Sequence, residues 1–189
     1  MSLVEASSES GLVRILWDLS DVQAEAARAY DEALAESLQR SPSPEYAALD
    51  LMDFRLLGGL QVLRGETGLF RAGSGVAVAP DMPVLRVLLG LREAVILATA
   101  DGPQTMFCAD ETWVSVRKDG EHLRLTSSRS LLAAEPEWLE AISNALSQLR
   151  SWLSEFTPAT RADPLLGPWL RGGAPPAFSG PLPQRGLIA

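Results

Sequence analysis

The sequence predicts an α+β fold: an antiparallel sheet centred on a four-strand meander over about residues 94–126, packed against helices and followed by a Pro/Gly-rich tail. Three observations carry this. Asp119-Gly120 separates two runs of strand-forming residues, 113–118 and 121–126, and Asp-Gly tolerates the positive φ angles of a tight hairpin turn. Trp138, Leu139, Ile142, Leu146, Leu149, Trp152, Leu153 and Phe156 recur at three and four residues, the period of a helix with one apolar face. Beyond Thr157 the composition changes to proline and glycine. A single α+β domain over 1–157 and an extended tail over 158–189 are therefore expected.

In chain order, residues 12–19 alternate so that Val13, Ile15, Trp17 and Leu19 share one wholly apolar face, which marks a strand on a core. Ser20 with Gln23 three residues on has the form of a capping box, and a helix over 21–40 follows from it. Ser41-Pro42-Ser43-Pro44 ends that helix, because each proline disfavours helical geometry in the residue before it. Ser43 and Pro44 then suit the cap and first position of a second helix reaching Phe54. Gly58-Gly59 either stops this helix or is crossed at about 1 kcal/mol per glycine relative to alanine. A stop is favoured, with short strands over 60–63 and 69–71 around Gly65-Glu66-Thr67-Gly68. Residues 76–78 suit a further strand, and the apolar run over 81–91 is open between helix and buried strand.

The meander is read as two hairpins. Strands over 95–100 and 104–109 are joined by Asp101-Gly102-Pro103, with Leu97 beside Phe107 on the core side and Ile96, Ala98, Met106 and Cys108 on the other, together with Trp113. In the second hairpin, a loop of Asp119 and Gly120 sets Lys118 opposite Glu121, Val116 opposite Leu123, Arg117 opposite His122 and Ser115 opposite Arg124. Val114, Val116, Leu123 and Leu125 then face the core, and Ser115, Arg117, His122 and Arg124 face outward. Apolar residues on both sides of the first hairpin imply a cover, from a helix of this chain or from another subunit. The helix expected over 137–155 covers one face of the sheet.

Composition bounds the function. Of 189 residues, 47% are hydrophobic and 21% charged, which supports a packed core rather than a disordered chain. A net charge of −8 repels phosphate backbones and anionic lipid, so neither nucleic acid nor membrane is an expected partner. No apolar run reaches the ~18 residues of a bilayer span. Cys108 is the single cysteine, which excludes an internal disulfide, and residues 1–11 lack the basic and apolar stretches of a secretory leader, so the cytoplasm is the expected compartment.

Chemistry-bearing residues are sparse. His122 is the single histidine, expected between Arg117 and Arg124, where two cations would keep the ring neutral or join it in an anion-binding patch beside Trp113; a solvated outer face accounts for the same residues. Cys108 would need exposure and a base to act as a nucleophile, whereas a strand cysteine ordinarily packs. Asp50 with Asp53, and Asp18 with Asp21, offer too few oxygens to build a hard-metal site, and the glycines at 65–68 and 73–75 lack the lysine and hydroxyl of a phosphate loop. No catalytic residue, metal or cofactor is assigned, and the missing motifs point away from an enzyme.

The function expected is a non-catalytic cytoplasmic protein-binding module, such as an acidic adaptor, a chaperone or a toxin-neutralising partner. Its partner-binding residues are taken as Trp113, Arg117, His122 and Arg124 on the sheet and Trp169, Leu170 and Phe178 in the tail, tryptophan and arginine being the usual anchors of such contacts. Two alternatives stand beside it. One is a self-assembling subunit whose tail docks on a neighbour, the other a small-molecule-binding protein or enzyme at the Arg117/His122/Arg124 face.

Overall fold

The computed structural model describes residues 3–19, 56–72, 77–109, 112–156 and 166–176. The helices expected over 21–40 and 44–54, the glycines at 73–75 and Phe178 lie outside the described residues. What is described is an α+β fold with two antiparallel sheets and three helices that share one hydrophobic core.

The first sheet is built on β1 (Val4–Ser7), β2 (Val13–Asp18) and β3 (Leu57–Arg64), in that spatial order. The core face of β2 is the one its alternation indicates, with Val13, Ile15 and Trp17 all buried. The free edge of β3 is divided between two short partners, β4 (Thr67–Gly68) and β5 (Ala79–Pro83). Gln61 fills the gap between them. Its buried amide donates to the Phe70 carbonyl at 3.0 Å and accepts from the Phe70 N–H at 2.9 Å, replacing with a side chain the ladder bonds a strand would make.

Gly58 and Gly59 stop the helical reading for a steric reason and lie within β3. A Cβ on Gly58 would sit 2.0 Å from the Asp18 carbonyl oxygen, and one on Gly59 would sit 2.3 Å from the Val78 side chain. Asp18 Oδ1 accepts the Gly59 N–H at 2.7 Å, so β2 and β3 meet through glycine that no larger residue can replace without a shift.

The second sheet is a four-strand meander, β6 (Gln104–Ala109), β7 (Thr112–Asp119), β8 (His122–Thr126) and β9 (Ser130–Ala134), paired in sequence order. It begins and ends later in the chain than expected. Residues 95–100 are not a strand but the end of helix α1 (Val84–Ala100), and Asp101-Gly102 is its terminus: the Asp101 N–H bonds the Leu97 carbonyl at 2.7 Å and Gly102 takes φ +98°. Turn-forming residues serve a helix end as well as a hairpin, and α1 is apolar on several sides because both sheets and a second helix enclose it. The fourth strand is instead β9, where Leu131 and Ala133 alternate into the core.

Helix α2 (Glu135–Phe156) buries Trp138, Ile142, Leu146, Leu149 and Leu153. The Trp138 ring N–H donates to the carbonyls of Leu123 and Ala133, at 3.2 and 3.1 Å, locking the start of the helix to the meander. Along its length Asn144 and Gln148 donate to the Ser7 and Glu5 carbonyls, at 2.9 and 3.0 Å, and so close the outer edge of β1. Helix α3 (Leu166–Leu170) adds Leu166, Trp169 and Leu170 to the core.

Candidate functional site

Among the described residues, the outer face of the meander gathers four of the expected site residues. Its turn was expected at Asp119-Gly120, but the two loop residues are Gly120 and Glu121, with Asp119 paired to His122. Gly120 has φ +65°, the conformation a glycine-first hairpin turn requires, which moves Asp119 back into the strand. The register is thus displaced by two residues from the expected one: Arg117 lies opposite Arg124 rather than His122, and Ser115 opposite Thr126 rather than Arg124. A two-residue slip leaves every side chain on its original face. Val114, Val116, Leu123 and Leu125 are accordingly buried, while Arg117 and His122 are exposed.

The first strand of the meander has the opposite facing to that expected. Phe107 pairs with Trp113 and Met106 with Val114, so Phe107 is on the outer face and Met106 on the inner. Cys108 also points inward and is buried. Burial pushes its thiol up to about 12, with Arg86 pulling weakly the other way, so it stays protonated near neutrality and lacks the thiolate a nucleophile needs.

From one end to the other the outer face runs from aromatic to charged. The Phe107 and Trp113 rings pack with centroids 4.9 Å apart at a tilt of 60°, and Trp113 is 54% exposed, the most open large hydrophobic residue among those described. Beyond them lie Thr105, Ser115 and Thr126, then Arg117 beside Arg124, then Asp119 beside His122. The two arginines differ in availability. Arg124 reaches Asp119 through Nε at 2.8 Å and Nη2 at 2.5 Å, and this hydrogen bond, with the Arg124 charge behind it and Arg117 and His122 farther off, holds the Asp119 carboxyl below its ordinary range. Arg117 has no hydrogen bond or ion pair among the described residues.

Of the expected site residues, the structure brings Trp113, Arg117, His122 and Arg124 onto this one face. Trp169 and Leu170, expected as partner-binding residues of the tail, are elsewhere, buried in the chain's own core at 2% and 7% exposure. Two residues of the face were missed. A hairpin over 95–109 points Phe107 inward and an Asp-Gly loop puts Asp119 in the turn, whereas a Gly-X loop returns Asp119 to the strand beside Arg124.

Two surface cavities, of about 200 and 210 Å³, are lined by other residues than Arg117, His122 and Arg124. Among the described residues no three His, Cys, Asp or Glu side chains gather as metal ligands, and no helix is long and apolar enough to cross a membrane. No protein-family model, no curated protein and no solved structure matches the chain.

Proposed function

We propose that the protein is a non-catalytic, cytoplasmic protein-binding module whose contact surface is the outer face of the meander. The observation that carries this is an open Trp113, braced by Phe107, on the same strand as an exposed Arg117 that has no hydrogen bond or ion pair among the described residues, in a chain whose net charge is −8. An open aromatic ring and an exposed guanidinium on one strand face, separated by Ser115, have the composition of interface anchors. The partner fitted to it is a protein segment that brings an apolar side chain to Trp113 and a carboxylate to Arg117. The overall negative charge opposes nucleic acid and anionic membrane.

A photo-crosslinking residue placed at Thr105, on the outer face, and another at Glu140, on the exposed side of α2, test the reading. Adducts with a cellular protein from position 105 alone are expected, followed by loss of that protein's binding on Trp113→Ala. Equal adducts from both positions, or binding that survives the substitution, would overturn it. An adduct between two copies of the chain, with light scattering showing a dimer, would identify the partner as self and select the assembly reading instead.

A further inference from the structure

A second site lies on the helical side of the molecule, where no residue of the meander takes part. Arg92 of α1 and Ser143, Ser147 and Arg150 of α2 line an open surface cavity of about 210 Å³, together with Trp169, Gly173 and Pro175. Both arginines are half-buried, and neither has a hydrogen bond or ion pair among the described residues. Both line one cavity, so an anion placed there would meet two guanidinium groups.

From this arrangement we infer that the cavity is a binding site for a phosphate group, free or carried at the end of a small molecule. Ser143 and Ser147 are one helical turn apart and Arg150 is three residues beyond Ser147, so the hydroxyls and that guanidinium share one side of α2 and face Arg92 across the cleft. Two positive charges with two hydroxyl donors suit a tetrahedral dianion better than a carboxylate, which would neutralise one charge and leave the other. Sites that bury drug-sized ligands run to ~300–1,000 Å³, and this smaller, open cavity has room for a phosphate with a few attached atoms. The buried Trp169 ring makes one wall apolar, so burial of the anion's carrier would add to the charge contact.

The test is calorimetric titration of the full-length protein with inorganic phosphate and, separately, glycerol 3-phosphate, with sodium acetate at matched ionic strength as control. Saturable binding of either phosphate species, absent with acetate and weakened at least tenfold in both Arg92→Gln and Arg150→Gln, is expected. Tighter binding of the ester than of free phosphate would identify a metabolite's terminal group, and the reverse would identify the free ion. Arg150→Lys, which keeps the charge and loses the planar fork, is expected to weaken binding less than Arg150→Gln, and it serves as the reporter should a glutamine variant not fold. Equal heats with acetate, or phosphate binding unchanged by Arg150→Lys and Arg150→Gln alike, would overturn the assignment. Neither result bears on the outer face of the meander.

Discussion

At the scale of single residues, environment decides which groups are available. Cys108 is buried with its thiol pushed up to about 12, so native protein is expected to react with a thiol reagent at pH 7 only as fast as it opens, and fast after denaturation. Labelling complete within seconds in the native state would show the side chain facing out. Asp119 is the opposite case, a carboxyl held low chiefly by its hydrogen bond with Arg124. A depressed folded-state value stabilises the fold above the ordinary 3.8 and loses that contribution as pH falls through the folded value. The melting temperature of wild type is therefore expected to exceed that of Asp119→Asn at pH 7, with the gap closing below about pH 3.8 and narrowing in high salt. A gap independent of pH would show that the pair is not ionic. Period-two alternation makes the inward or outward facing of Val114, Val116, Arg117, Leu123 and Arg124 legible in the sequence, whereas the ion pair is not, because it depends on which two residues occupy the turn.

At the scale of elements, the helix over 135–156 was legible almost to its ends, since Trp138, Ile142, Leu146, Leu149 and Leu153 mark a single buried face. Helix α1 was not. Its sequence is apolar on several sides, which suits a buried helix and a buried strand equally, and Asp101-Gly102 suits a hairpin and a helix end equally. The spacing of Leu88, Leu91, Val95 and Ala98 was the available signal. Strand β1 escaped notice because four residues alternate too briefly to register, and it is held at its outer edge by Asn144 and Gln148 rather than by its own propensity. Two substitutions test these attachments. Gly58→Ala must move the Asp18 carbonyl and is expected to cost about 1–3 kcal/mol in denaturant unfolding. Trp138→Phe removes the donor shared by two strand carbonyls and is expected to cost about 1–3 kcal/mol. A cost near zero in either would mean that the strand or the helix is anchored elsewhere.

At the scale of the whole molecule, one core joins both sheets and all three described helices, and it extends beyond the compositional change at residue 157. Proline and glycine gave residues 158–189 the look of a tail, yet Leu166, Trp169 and Leu170 are buried against the rest. Composition reports the average of a segment, whereas Leu166, Trp169 and Leu170 at helical spacing dock residues 166–170. Trp169→Ala is expected to cost about 3–5 kcal/mol of stability, and truncation after residue 158 at least as much. An unchanged melting temperature would detach this segment from the fold. Among the described residues, the outer face of the meander carries an exposed aromatic ring, Trp113, and, two outward positions along the same strand, an exposed arginine, Arg117. The decisive measurement is the affinity of the crosslinked partner, once identified, for wild type and for the Trp113→Ala/Arg117→Glu double variant. A partner that docks on this face is expected to bind the variant at least tenfold more weakly, about 1.4 kcal/mol, while the variant's own unfolding stays within about 0.5 kcal/mol of wild type. Equal affinity for the two proteins would contradict the assignment of this face as the contact surface.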